Sequence, residues 1–515
     1  MNRDLFTTPN KNAPPADTIN QAGGLAYKME NLDALCQLAV TGTFRNTFYT
    51  SANQQLKEML ELAASLPTEQ VALVAKYARR FGNMKDTPVV LLHYLWEVNA
   101  PELGMVWYSV IDNIGQLQNW VQLVRGGKRK SLASKGKRFI SDFLASMTPE
   151  KIFWQAIGGS VDFKDVLRLA HPRPATPEHE ALFNWFLGKT DHAERLPNAV
   201  KAFEDLKAGR TQEVPEVPFL RLSNLDLSTD QWKQVARRMT WNQLRLNLSS
   251  LNKHGVFQDE EFVKEMVTKL TDQKALKSSR ILPFALYQTS EMIGALPAPI
   301  KNAVSDAMDQ AVLMAPKLPG KTLILVDSSG SMSSPVTGYG PAASKMTCNK
   351  AAAYFAAALL KSNPDSTEVV LFDTVVHSTK LNPRDSLSTI IDGIRMGGGG
   401  TNVEVGIRYA NHTCDYDSII IISDNMSWDS LSIDPATRRG MATLAELEWA
   451  RYLKSKPNAK LVAIDIQPYT SSQLINSASV LNIGGLNDSV FEAIDNFLHN
   501  STVSWETRLG GLLDR

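Results

Sequence analysis

The stretch DSIIIISDN, residues 417–425, constrains this chain more than any other. Four consecutive isoleucines leave no polar face, so a strand built from them must be covered on both sides. It ends on an acid, Asp424. Strands of this kind belong in a parallel sheet wrapped by helices. The sequence around it agrees. TLILVD (322–327), TEVVLFDTVV (367–376) and AKLVAIDIQ (459–467) read as strands. KMTCNKAAAYFAAALLKS, DSLSTIIDGIRM, ATLAELEWARYLKS and SVFEAIDNFLHN read as the helices between and after them. The alternation predicts a doubly wound α/β domain over residues 319–515, its regular part ending near 498. The last residues, STVSWETRLGGLLDR, carry no assignable pattern.

Upstream, from about Asn31 to Met314, the pattern is helix after helix. NQQLKEMLELAASL (53–66) repeats apolar residues at three- and four-residue spacing, which buries one stripe. TEQVALVAKYARRFG follows, with Thr68 as the expected cap and Gly82 as the stop. TPVVLLHYLWEV, TPEKIFWQAIGG, TPEHEALFNWFLG and STDQWKQVARRM each begin on Ser or Thr, three with proline next, which is the order of a cap and a first helical residue. Short helices joined by tight turns predict an all-α stack of helix pairs, a HEAT-like solenoid, over residues 1–318. No strict period is visible, so an irregular helical domain is the other reading. MAPKLPGK (314–321), with two prolines and a glycine, separates the two grammars.

Residues 1–318 hold 38 Lys+Arg against 33 Asp+Glu, a balance of +5, and the remainder holds 16 against 20, a balance of −4. The two parts can therefore have different partners. Cys36, Cys348 and Cys414 are far apart in sequence and show no metal-ligand spacing, which suits a reducing compartment. The N-terminal MNRDLFTTPNKNAPPAD has no apolar segment of the secretory type. AAAYFAAALL (351–360) is shorter than the ~20 residues a bilayer requires. A cytoplasmic location is expected.

Ligands of an open parallel sheet gather beyond the carboxyl ends of its strands. Three such ends carry oxygen ligands here: Asp327-x-Ser329-x-Ser331, GGGGTN (397–402) with Thr401, and IIIISDN with Asp424. A hard cation such as Mg²⁺ takes oxygen ligands in near-octahedral geometry and keeps several waters. Two carboxylates and three hydroxyls meet that demand. Asp327 would anchor the loop, through hydrogen bonds or a metal-bound water. Ser329, Ser331 and Thr401 would supply hydroxyls, and Asp424 the second charge. An open position on so lightly charged a site favours a carboxylate or phosphate from a partner. Asp373 and Asp465 also lie late in strands but lack a hydroxyl cluster, and read as structural.

The other candidate surface is basic. RGGKRKSLASKGKR, residues 125–138, holds seven Lys+Arg and no acid. With no acid at i+4 it reads as a solvated loop. Lys128, Arg129, Lys130, Lys135, Lys137 and Arg138 are the phosphate-binding candidates within it. FKDVLRLAHPRP (163–174) adds Lys164, Arg168 and His171, spaced so that one helical face could carry them. A face of this kind grips phosphates through counterion release. His171 would bond a base or phosphate, or cap a helix end.

GKRFISDFL, KDVLRLAHPRP, MTWNQLRLNLSSL (239–251), SRILPFALYQT (279–289), GKTLILVDSSGSM, GGGGTN and IIISDNMSW occur in that order. With them the chain resembles, over almost its full length, the family of the Ro 60-kDa autoantigen and its bacterial orthologues. That family joins a TROVE module to a von Willebrand factor A domain with a metal-ion-dependent adhesion site. The resemblance implies a monomeric ring of HEAT-like repeats closed by the A domain. It implies a hole that accepts the single-stranded 3′ ends of misfolded noncoding RNA and an outer surface that binds the stem of a Y-type RNA. It also implies an exoribonuclease partner such as polynucleotide phosphorylase, no DNA or membrane partner, and a metal site that recruits rather than catalyses. Its RNA-binding region covers Lys137, Arg138, Lys164, Arg168 and His171. One departure stands out: WQAIGGSVDF (154–163) has no cation where animal members carry several, leaving the upstream run to compensate. The competing reading is a metal-dependent protein-binding scaffold. A metal-dependent hydrolase is disfavoured, since no general base or second carboxylate cluster accompanies the site.

Overall fold

The structure is a computed structural model that describes residues 13–42, 44, 50–82, 84–158, 161–189, 191–279, 283–312, 315–336, 345–394, 397–413, 415–424, 426–427, 441–467, 469–485 and 489–499. Cys414 and the C-terminal STVSWETRLGGLLDR lie outside the described residues. The described residues form two compact units, one drawn from 13–62, 276–292 and 302–499, the other from 63–275 and 293–301. The change of grammar at 318 and the boundary of packing therefore do not coincide.

In the first unit, β1 (Thr18–Ile19) and β2 (Leu25–Lys28) precede the α/β elements β3 (Thr322–Asp327), β4 (Thr367–Phe372), β5 (Val376–Ser378), β6 (Ser418–Ser423), β7 (Lys460–Asp465), β8 (Ser471–Ser472) and β9 (Val480–Gly484). Six strands form one sheet in the order β5-β4-β3-β6-β7-β9, parallel except for the β4–β5 hairpin. Every residue of β3 and β6 is buried, as their unbroken apolar runs require. The chain leaves β3 for β4 on one side and returns to β6 on the other. The carboxyl ends of β3 and β6 thus flank the switch point where ligands of such sheets bind.

The helices Cys348–Ser362, Leu387–Gly393, Val403–Thr413, Leu444–Ser455 and Ser489–His499 accompany the sheet. Leu323, Leu325, Ile419, Ile421 and Leu461 meet Val403, Ile407, Trp449 and Tyr452 in one buried cluster. Burying each large side chain of this kind contributes about 1.5–3 kcal/mol before entropy is counted. Gly406 is required by the approach of its helix to β3, because a Cβ there would lie 2.7 Å from Leu325 Cδ1. The expected strand 367–376 stops at Phe372. Asp373 turns the chain: its Oδ1 accepts from Val375 N–H and its own N–H donates to Val375 O, both at 3.0 Å.

A second sheet, β1-β2-β8, adds N-terminal strands to this unit, with Tyr27 opposite Ser472 and Lys28 opposite Ser471. The helix Asn31–Thr41 packs against β9. These contacts place residues 13–42 with the α/β elements and not with the helical stack.

The second unit is a succession of helices that touch near neighbours in sequence. Thr68–Arg80 packs on Thr87–Glu97 and Leu103–Val110, Ile114–Gly126 on Pro149–Gln155 and Phe163–Ala170, and Thr229–Arg238 on Trp241–Lys253. Thr148, Thr176 and Ser228 cap their helices as expected, each accepting a hydrogen bond from an N–H of the first turn. Thr68 and Thr87 do not: the caps are Pro67 and Asp86, and each threonine is the first helical residue. The basic run is also not one loop. Its second half, from Ala133, begins the helix Ala133–Ala145, whose buried Phe139, Ile140, Phe143 and Leu144 outweigh the absent charge pairs.

Candidate metal centre and nucleic-acid interface

Asp327 closes β3 and is buried. Its Oδ1 accepts from Ser329 N–H at 2.8 Å, and its Oδ2 from Ser423 Oγ–H at 2.6 Å. Both oxygens are thus already engaged in holding the loop, which fits the anchoring role. Ser329 begins a single 3₁₀ turn, Gly330–Ser333, that carries Ser331. Ser329 Oγ lies 3.2 Å from Ser331 Oγ and accepts from Thr401 Oγ1–H at 2.9 Å. Asp424 follows β6, is equally buried, and accepts from Met426 N–H at 3.2 Å and from the Ser331 hydroxyl. The structure therefore brings together all five residues that the sequence singles out.

The glycine run is zipped to this loop by its backbone. Gly397 and Gly398 donate to Ser328 O, and Gly330 donates to Gly399 O, all at 3.0 Å. Asp373 braces the run from behind: a Cβ on Gly397 would sit 2.4 Å from its Oδ2. Burial raises the Asp373 pKa, but the Val375 N–H and the His377 ring, 3.1 Å away, win and hold it below the usual range. Asp465 Oδ1 accepts from Gln467 N–H at 3.2 Å.

The electrostatics suit a cation. Burial pushes the Asp327 carboxyl up to about 7, and the charge of Asp424 adds to the effect. Hydrogen bonds from Ser423 and Ser329 only partly offset it. Burial also raises Asp424. Cys348, beneath these acids, is pushed up to about 12, chiefly by burial, and stays a thiol. Two buried carboxylates among hydroxyls form a strained set until a positive charge joins them. An octahedron with metal–oxygen bonds of 2.0–2.1 Å separates neighbouring oxygens by about 2.9 Å, whereas calcium bonds imply about 3.3 Å or more. The hydroxyl separations of 2.9 and 3.2 Å fall one near each value and leave room for either ion. Ser329, Ser331, Thr401 and Asp424 would hold such an ion, with Asp327 behind them.

Three positions were not singled out from sequence. Ser423, next to Asp424 in IIIISD, was readable as a partner of Asp327. Ser427 and Asn20 were not. Ser427 Oγ donates to Thr401 O at 3.2 Å and accepts from Val403 N–H at 3.3 Å. Asn20 Nδ2 donates to Ser427 O at 2.8 Å across 407 residues of sequence, a separation that no local pattern signals.

Residues 321–498 match the family described as the Ro60 vWA domain. The chain carries a Ro60-family A domain. The Ro (Rsr) protein of Deinococcus radiodurans is similar in structure, with a TM-score of 0.64 at 18% identity, over 91% of this chain and 99% of that one. The helical region followed by the A domain is thus a shared fold. Proximal thread matrix protein 1 of the mussel byssus matches 35% of this chain at 14% identity and a TM-score of 0.23, covering 48% of its own chain. An aerotolerance-related membrane protein of Bacteroides fragilis matches 38% at 13% identity and a TM-score of 0.20, covering 97% of its own chain. No curated protein matches in sequence. No helix among the described residues is long and apolar enough to cross a membrane.

Lys128, Arg129 and Lys130 are exposed in the turn after the helix Ile114–Gly126. The Arg129 guanidinium lies 5.7 Å from the centre of the Trp96 ring. Lys135, half-buried, lies 5.9 Å from that of Phe139, and Lys137 and Arg138 are exposed on the same helix. Lys164 and Arg168 each face an acid, Asp162 at 3.4 Å and Asp165 at 3.5 Å. His171 does not share their helical face. It is the exposed C-cap in the left-handed conformation, φ 47°, and its N–H donates to Leu167 O. The two basic groups adjoin: Ala133–Ala145 packs on Phe163–Ala170, and Arg173 N–H donates to Ser141 Oγ at 3.3 Å.

Proposed function

We propose that the protein is a non-catalytic RNA-binding component of a ribonucleoprotein, and that its A domain holds Mg²⁺ and recruits a partner through it. The supporting observation is the joining of two basic groups on packed helices, so that Lys137, Arg138, Arg168, His171 and Arg173 stand exposed together on the helical unit. The Ro60-family A domain and the fold shared with the Deinococcus Ro protein support the same reading. The RNA is a structured small noncoding RNA of the Y type, bound by shape and phosphates, with the 3′ ends of misfolded RNA as a second ligand. Lys128, Arg129, Lys130 and Lys135 extend the cationic surface, with Trp96 and Phe139 packed beneath Arg129 and Lys135. The partner at the metal presents a carboxylate or phosphate, and an exoribonuclease such as polynucleotide phosphorylase is the candidate.

Salt titration tests this. Affinity for a Y-type stem should fall by a thousandfold or so between low and physiological salt, for about six phosphate contacts. Pull-downs that EDTA empties and RNase leaves intact would instead show a scaffold for proteins.

A further inference from the structure

A cavity of about 680 Å³ opens within the helical unit. Sites for small ligands are commonly of roughly 300–1,000 Å³. One wall is Ala156, Ile157 and Gly158, from the very segment that lacks a cation in the sequence. Trp185 and Phe186 line it too, as do Lys207, Arg221 and Asn224, and Leu220 is exposed at its rim.

Arg221 gives the cavity its character. It reaches back 65 and 68 residues to that segment. Its Nη2 donates to Phe153 O at 2.7 Å and Ala156 O at 2.9 Å, and its Nε donates to Phe153 O at 3.2 Å. The guanidinium lies 4.2 Å from the centre of the Phe153 ring and 5.6 Å from those of Trp185 and Phe186. Among the described residues it has no carboxylate partner and Nη1 makes no hydrogen bond. Burial lowers its pKa to about 10, which leaves it charged at neutral pH. Carbonyl dipoles and ring faces alone balance this half-buried cation. Lys207 also lines the cavity, and its contact with Glu204 is a loose 3.4 Å, while Lys164 on the same lining is paired with Asp162 at 3.4 Å.

We propose that this cavity binds a nucleotide unit, with the planar base against Trp185 and Phe186 and the phosphate at Arg221 and Lys207. The walls supply what the two halves of such a ligand require: ring faces for stacking and a fixed cation for the phosphate. The Asn224 amide, both donor and acceptor, can meet a base edge. Arg221 thus provides the cation that residues 154–163 lack. A free mononucleotide and a nucleotide splayed from an RNA strand share this chemistry. The second source rests on the RNA-binding reading above; the first does not.

The test uses the full-length protein with uridine 5′-monophosphate, uridine and inorganic phosphate in calorimetric titrations. It adds a single-stranded oligoribonucleotide carrying 4-thiouridine, photocrosslinked and mapped by mass spectrometry. Uridine monophosphate should bind about tenfold more tightly than uridine or phosphate, and Arg221→Met and Lys207→Glu should each weaken it about tenfold. Lys207→Glu covers the case in which loss of the Arg221 hydrogen bonds prevents folding. A crosslink at Trp185 or Phe186 identifies a strand nucleotide as the source; mononucleotide binding without it identifies the free form. The absence of both binding at millimolar concentration and a crosslink would overturn the proposal, as would an unchanged affinity in Lys207→Glu. Failure of stem RNA to bind would remove the RNA reading and leave the mononucleotide titration standing.

Discussion

Asp327 and Asp424 show how burial prepares a carboxylate for a metal. The folded Asp327 titrates near 7, above the ordinary value of about 3.9 for an unfolded chain. Between those values the unfolded chain binds fewer protons, so the cation-free protein loses stability as pH rises from about 4 through 7. A divalent cation favours the ionised form and reverses the trend. Mg²⁺ should therefore raise the unfolding midpoint more at pH 8 than at pH 5.5. Binding at pH 6 should release a proton, seen as a buffer-dependent heat. Asp424→Asn should lower cation affinity at least tenfold or so, yet stabilise the cation-free protein at pH 8 by roughly 1 kcal/mol by removing a like charge. A midpoint indifferent to Mg²⁺ at every pH would refute this account.

Among elements, the helix Ala133–Ala145 carries its cations at the end where a helix dipole is positive. Lys137 and Arg138 are exposed there and make no contribution to the core. Replacing both with Gln should leave the melting temperature within a degree or two, while weakening stem RNA binding and reducing its salt slope by about 1–2. An unchanged slope would place the RNA elsewhere. The same helix shows what local pattern could not reveal. The absence of acids argued for a loop, and only the apolar face of Phe139, Ile140, Phe143 and Leu144 decided otherwise. Val403–Thr413 escaped notice because Gly406 and polar Asn411 and His412 blur its stripe, and Gly406 is there to let the helix meet Leu325. β9, VLNIG, is short and polar at its centre, and its pairing with β7 defines it. β3, β6 and β7 were legible because residues buried on both faces write an unbroken apolar run. The metal ligands were legible for a related reason: each follows such a run directly. Ser427 and Asn20 were not, because their roles depend on segments brought together from opposite parts of the chain.

At the scale of the molecule, the A-domain unit is discontinuous. β2 pairs with β8, Gln473 Nε2 donates to Leu25 O at 3.1 Å, and Thr470 Oγ1 donates to Glu58 Oε1 at 3.0 Å. A fragment cut at 319 keeps the six-stranded sheet and loses these partners. It should melt well below a version in which residues 13–62 are fused back through a linker, and should bind Mg²⁺ more weakly because Asn20 no longer steadies Ser427. Equal melting and affinity would show the N-terminal strands to be ornamental. The discontinuity also sets an order of events during synthesis. Residues 63–275 pack through near neighbours and can fold as they leave the ribosome. The strands at 18–28 emerge before β8 and find it only some four hundred residues later, and closing so long a loop is slow. The nascent protein thus exposes an unpaired strand edge from the making of β2 until β8 is made, and a segment synthesised long before its partner becomes native only after it.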